Sequence, residues 1–204
     1  MAIACPVDLN TAVLRSEISD IYGRVAKQPD GEFHFHRGAA YAVKFLGYDA
    51  DELAALPPDC TASFAGIGNP LAIGPIHAGE AVLDIGCGAG MDLLLAAQRI
   101  GTTGYAIGVD MTEAMVERAR RSAAAASLSQ VEIRQGDATA LPVPTGSIDI
   151  VSSNGVLNLV PEKERGFAEI IRVLKPGGRL HLADIALDAE LPEDARRNID
   201  LWTG

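Results

Sequence analysis

The stretch Asp84-Ile85-Gly86-Cys87-Gly88-Ala89-Gly90 places three glycines directly after the apolar run Ala81-Val82-Leu83. A helical pattern follows it through Leu93, Leu94, Leu95, Ala97 and Ile100. Strand, glycine turn and helix in that order form the first unit of an α/β sheet, where bare backbone can approach a ligand closely. The same alternation continues outward. Tyr105 to Val109 reads as a strand, Glu113 to Leu128 as a helix, and Val131 to Arg134 and Ile148 to Ser152 as strands. Lys163 to Leu174 then reads as a helix and Arg179 to Ile185 as a strand. These strands are nearly unbroken apolar runs, as burial on both faces requires, so the fold class is α/β with a Rossmann-like, doubly wound parallel sheet.

The second strand ends in Asp110, twenty positions after Gly90, where an acid can accept hydrogen bonds from both hydroxyls of a ribose. An adenosyl ligand follows. A dinucleotide fingerprint would need glycine at 91, but the sequence has Met91 there and the spacing is GxGxG. Asp84 would also add negative charge beside a diphosphate, whereas S-adenosylmethionine brings an ammonium and a sulfonium that favour nearby carboxylates. Gly136-Asp137-Ala138, followed by Leu141-Pro142, can set the Asp137 carboxylate near an adenine amino group. The competing reading makes these acids helix caps and turn formers.

Before this unit, residues 8 to 27 carry Leu9, Val13, Ile18, Ile21, Tyr22 and Val25 at close to helical spacing, with Asp8 or Asn10 as the cap. Further helical stretches run from Ala39 to Leu46 and from Ala50 to Leu56, where Pro57-Pro58 ends the run. Three regions result: a helical extension or cap over 1–58, a loop-rich connector over 59–79 and a ligand-binding domain over 80–204.

Composition narrows the partners. With 17 Lys and Arg against 27 Asp and Glu among 204 residues, the net charge of −10 argues against nucleic acid. Neither a secretory signal nor an apolar stretch near the roughly 20 residues of a membrane span is present, so the expected setting is cytoplasmic, with no membrane partner. Cys5, Cys60 and Cys87 are odd in number, widely spaced and free of any CxxC, which points to reduced thiols and no structural metal.

The loop above, together with Gly108-Val109-Asp110-Met111 and Leu174-Lys175-Pro176-Gly177-Gly178, resembles class I S-adenosylmethionine-dependent methyltransferases over about residues 60 to 204. Within that superfamily, Ser63-Phe64-Ala65-Gly66-Ile67-Gly68-Asn69-Pro70 and Ser153-Asn154-Gly155-Val156-Leu157-Asn158-Leu159-Val160-Pro161 are similar to the arsenite methyltransferase group. So is the ending from Leu191-Pro192 to Gly204. The resemblance implies methyl transfer to trivalent arsenic, a soft acceptor suited to thiolates. It also implies arsenic-binding cysteines where this chain has Ile67 and Gly155, with a third just after Gly204. Arsenite would then need glutathione or a similar thiol to complete its ligands.

The cofactor set read from these motifs is Asp84, Gly86, Cys87, Gly88, Gly90, Asp110, Met111, Asp137, Ala138 and Asn154. On the acceptor side stand Gly155 and Asn158, Tyr22 from the first helix, and His34 and His36, which share one side if their segment is extended. No catalytic base or metal ligand is assigned, because adenosylmethionine carries its own leaving group and needs mainly an aligned acceptor. The class I fold normally continues with a further helix and an antiparallel strand pair. The few residues after Ile185 have room for a helix over Glu193 to Trp202, so the sheet is expected to lack that pair and to expose an edge open to self-association. An organic acceptor, a non-catalytic cofactor-binding module and a nicotinamide-dependent dehydrogenase are the competing functions.

Overall fold

The computed structural model describes residues 10–186 and residue 188. Five strands, β1 (Ala81–Ile85), β2 (Tyr105–Asp110), β3 (Val131–Gln135), β4 (Ile148–Asn154) and β5 (Leu174–Ala183), form one sheet in the order β3-β2-β1-β4-β5. All four pairings are parallel. The winding reverses between β1 and β4, which opens a crevice at their carboxyl ends. Every residue of β1 is buried, which is why its run carries no polar alternation.

Helices cover both faces. Four short to medium helices come first: α1 (Thr11–Lys27), α2 (Ala39–Leu46), α3 (Ala50–Ala54) and α4 (Pro58–Ala62). They share one face with α5 (Met91–Ile100) and α6 (Glu113–Ala125), over a core that includes Val82, Ala106 and Ile150. The opposite face packs Leu83, Ile85, Val109 and Val151 against Ile170 and Val173 of α7 (Lys163–Val173). Each such buried aliphatic side chain contributes about 1.5–3 kcal/mol, so the two cores account for most of the sheet's stability.

The first helix is capped by Asn10, whose Oδ1 accepts from the Ala12 amide at 3.0 Å. Its Leu14 and Ile18 pack with Leu159 from the segment after β4, so the first half of α1 lies over the crevice, while Val25 and Ala26 at its end join the core of the covered face. The connector is less irregular than its Gly and Pro content implies. The run in α3 stops at Ala54, short of the proline pair, and Pro58 then occupies the first turn of α4, where its missing N–H is no loss. The fifth strand starts early as well: Leu174 pairs with Ile148, and pairing resumes with Arg179 opposite Ile150. Lys175 to Gly178 bulge out between these points, with Gly177 at φ +80°, so the glycine pair still serves as a turn inside the strand. β3 and β5 are the outer strands of the sheet among the described residues. The helix read over Glu193 to Trp202 lies outside them. No helix among the described residues is long and apolar enough to cross a membrane.

Candidate functional site

One cleft opens at the carboxyl ends of the strands, where the winding reverses. It is lined by the turn after β1, by Asp110, Met111 and Thr112 after β2, by Gly136, Asp137 and Ala138 after β3, and by Asn154, Gly155 and Val156 after β4. Arg15, Ile18 and Tyr22 of α1 and residues 63–66 of the connector close it from above.

The glycine turn is tied inward. The amides of Gly86 and Cys87 both donate to the Val109 carbonyl, at 2.7 and 3.1 Å, and Gly90 donates to the Cys87 carbonyl at 2.8 Å. Gly88 donates to Asp110 Oδ2 at 2.9 Å, while the Thr112 amide donates to Asp110 Oδ1 at 2.8 Å. A pyrophosphate site needs such amides turned outward toward the anion. Here four of them already have partners, which disfavours the dinucleotide reading on a ground separate from Met91. Asp110 is the keystone of the turn, held by the amides of Gly88 and Thr112 and by the Thr112 hydroxyl, and its carboxylate keeps acceptor capacity that a ribose hydroxyl can use.

Electrostatics select the sign of the ligand. Asp84, Asp92 and Asp110 line the cleft at 3%, 6% and 9% exposure, and no ion pair among the described residues involves any of them. Burial pushes the Asp84 carboxyl well above its usual range, and repulsion from Asp92 and Asp110 adds to it, with Ser152 pulling the other way. Burial also raises Asp110, against the amides of Thr112 and Gly88. It raises Asp92 to about 6, although Asn154 and Tyr48 hydrogen-bond its charged form. Asp84 and Asp110, buried and outside every ion pair among the described residues, favour a cationic ligand beside them. Adenosylmethionine suits that charge; a diphosphate does not.

Because the folded chain holds a proton on Asp92 between about pH 4 and 6 that the unfolded chain has released, this group stabilises the ligand-free fold at low pH. That contribution is lost as pH rises through about 6. The stability gap between wild type and Asp92→Asn should therefore move by roughly 2 kcal/mol in favour of the variant between about pH 4.5 and 7. Urea titrations of both proteins at the two pH values check this; a gap that stays constant means that Asp92 titrates normally.

Asp137 behaves differently. Burial raises its carboxyl, but the Thr139 hydroxyl and amide and the Arg15 guanidinium outweigh that and hold it below the usual range. Arg15 Nε lies 3.0 Å from Asp137, and its other nitrogens reach Glu162 at 3.0 and 3.1 Å. α1 is thereby fastened to both rims of the cleft. Tyr22 faces the cleft, its phenol raised to about 12 by burial and by Asp110, so it is a hydrogen-bond donor at neutral pH.

Of the residues read from sequence, Asp84, Gly86, Cys87, Gly88, Asp110, Met111, Asp137, Ala138, Asn154, Gly155 and Tyr22 are brought together on the cleft wall. Gly90 stands just behind it as the N-cap of α5. His34, His36 and Asn158 are not on that wall. The segment bends at His34 and Phe35 and is no strand; the histidines are exposed, whereas Phe33 and Phe35 pack half-buried against the core. His36 stacks on Tyr41, with ring centroids 5.3 Å apart. Asn158 has a structural setting: its amide donates to Asp184 at 3.1 Å, and its carbonyl accepts from Lys163 Nζ at 2.8 Å.

Sequence reading missed Asp92 and Arg15, and named Cys60 only as a reduced thiol. Asp92 had a signal: it is the one acid in the otherwise apolar run Met91 to Ala97, a helix buried nearly all round. The Cys60 thiol lines the cleft, but burial raises it to about 12 and it donates to the Pro57 carbonyl at 3.1 Å, so it is no thiolate at neutral pH. Among the described residues no cluster of three or more His, Cys, Asp or Glu could hold a metal ion.

Comparison with known proteins agrees with this geometry. Residues 76–203 match a family described as a methyltransferase domain. An arsenite methyltransferase of Halobacterium salinarum is 45% identical over 78% of this chain and 40% of its own length. One of Mus musculus is 29% identical over 93% of this chain and 52% of its own. Among solved structures, an arsenic(III) S-adenosylmethionine methyltransferase from Chlamydomonas reinhardtii superposes with a TM-score of 0.66 at 37% identity, covering 71% of this chain and 51% of that one. The chain thus spans about half or less of the length of these relatives. Since the family match extends over more than half of it, the chain belongs to the methyltransferase domain family, and its sheet is that of the class I S-adenosylmethionine-dependent methyltransferase fold.

Proposed function

We propose that the methyl acceptor is trivalent arsenic, presented as a complex with a small thiol such as glutathione. The observation that carries this reading is the meeting of residues 67 and 155. A Cβ on Gly155 would lie 3.4 Å from two side-chain carbons of Ile67. The positions that the resemblance associates with arsenic-binding cysteines therefore adjoin at the β4 end of the cleft, although neither is a cysteine here. The relatives named as arsenite methyltransferases support the same acceptor.

The chemistry is compatible with the residues present. Adenosylmethionine, when bound, supplies an electrophilic methyl group on a cationic sulfur. Asp84 holds the positive charge, Asp110 fixes the glycine turn and accepts from the ribose, and Asp137 and Ala138 line the adenine end. Phe64, Val156 and Leu159 exclude water. An acceptor atom with its own lone pair needs no proton removed, so this apolar wall can serve it without a general base. Cys60 and Cys87, with their protons held by burial, supply no thiolate among the described residues, which favours thiols carried by the co-substrate.

That apolar wall also favours a second reading, in which a small organic molecule is the acceptor. Incubation with labelled adenosylmethionine, arsenite and glutathione separates the two. Label on arsenic that depends on the thiol is the expected result. Label on organic acceptors with none on arsenic overturns it, and cofactor binding with no turnover on any acceptor makes the chain a non-catalytic binding module.

A further inference from the structure

We propose that Asn154 is a positioning residue for the methyl acceptor: it seats the connector segment Gly66 to Gly68 against the end of β4 and does not hold the cofactor.

The hydrogen bonds of its amide are fully assigned. Oδ1 accepts from the Ile67 amide at 2.9 Å and the Gly68 amide at 3.1 Å. Nδ2 donates to the Gly68 carbonyl at 2.9 Å and to Asp92 Oδ2 at 2.9 Å, with the Tyr48 hydroxyl 3.2 Å away. An Asn side chain offers two donor hydrogens and two acceptor lone pairs, and all four are used. Nothing remains for a ligand, although the residue lines the cleft.

The seat has been fitted from both sides. A Cβ on Gly66 would fall 2.3 Å from Asn154 Nδ2 and 2.5 Å from Phe64 Cζ, so only a residue without a side chain lets the segment lie down on the amide. From below, Tyr48 donates to Asp92 Oδ1 at 2.7 Å, which orients the carboxylate that receives Asn154. Tyr48, Asp92 and Asn154 come from three separate parts of the chain: the turn after α2, the first turn of α5 and the end of β4. Together they hold one strap, and that strap sets Ile67 against Gly155 and lays Gly66 on the cleft wall. Loss of the amide should free the acceptor wall and leave the glycine turn, Asp84 and Asp110 where they are.

The proposal rests on the reading that the acceptor enters at the β4 end, but its test needs no acceptor, so failure of the arsenic assay leaves it intact. Amide hydrogen exchange followed by NMR reports directly on the two N–H groups bound to Asn154 Oδ1. In Asn154→Ala, protection of the Ile67 and Gly68 amides should fall at least about 10-fold more than that of the Gly88 amide, which Asp110 holds. Calorimetric affinity for adenosylhomocysteine should change less than about 3-fold. Tyr48→Phe, a milder variant, should loosen the same two amides to a smaller extent.

A polarity exchange provides the rescue. Asn154→Asp alone faces two carboxylates toward each other and should loosen the strap. Asn154→Asp combined with Asp92→Asn restores one donor and one acceptor, and should recover most of the protection. Protected Ile67 and Gly68 amides in Asn154→Ala overturn the proposal. So does a loss of adenosylhomocysteine affinity beyond about 10-fold, which would make Asn154 a cofactor ligand.

Discussion

Replacing Asp84 by Asn should weaken adenosylmethionine binding by a factor of about 100 or more while making the ligand-free protein more stable. Two opposite effects follow from one cause. In the ligand-free fold, Asp84 is buried beside Asp92 and Asp110, outside every ion pair among the described residues. Removing its charge relieves that repulsion, and each kcal/mol gained should raise Tm by about 2–4 °C in a chain of this size. In the complex, the same change leaves a cation facing a neutral amide in a low-dielectric cleft. Breaking one side of a buried charge pair costs about 3–5 kcal/mol, which is more than two orders of magnitude in affinity. Calorimetry and thermal denaturation of the same preparation check both halves. Affinity within about 3-fold of wild type would remove Asp84 from the cofactor site.

Gly86→Ala should destabilise the fold by about 2–4 kcal/mol, whereas Gly88→Ala two positions later should cost only about 1 kcal/mol. Both glycines have positive φ, +66° and +52°, so either alanine meets the left-handed penalty. The surroundings separate them. A Cβ on Gly86 would lie 2.3 and 2.9 Å from the two methyl carbons of Val156, whereas a Cβ on Gly88 meets nothing within 4 Å. Relief at Gly86 requires Val156 and the chain after β4 to move, so the acceptor wall shifts along with the turn. Urea denaturation of the two variants checks the difference, and equal costs would show that the Val156 contact yields without resistance.

Much of the fold was legible because its inner strands β1, β2 and β4 are short, largely buried apolar runs between helical patterns, whereas the outer strands β3 and β5 carry polar residues and are only partly buried. Asp84, Asp110 and Asp137 were legible for a related reason: each stands within two residues of a strand's carboxyl end, so topology alone brings them to one end of the sheet. The connector hid its structure. Pro58 looks like a terminator in sequence, yet the same fixed φ suits the first turn of a helix. The His34 and His36 pair shows the limit of periodicity, which states that two residues share a face but not which face is inside. Phe33 and Phe35 decided that by burial. The Tyr48, Asp92 and Asn154 network joins residues 44 and 62 positions apart to a single carboxylate, and no local pattern encodes such a meeting.

The central claim is that buried carboxylates at the glycine turn are completed by a positively charged sulfur nucleoside. Calorimetry at neutral pH, comparing adenosylmethionine with 5′-methylthioadenosine and NAD, tests it most directly. The account predicts that adenosylmethionine binds at least about 10-fold more tightly than methylthioadenosine, which keeps the adenosine but lacks the cationic groups, and that NAD does not bind. Equal affinity for the two sulfur nucleosides, or tight binding of NAD, would contradict it.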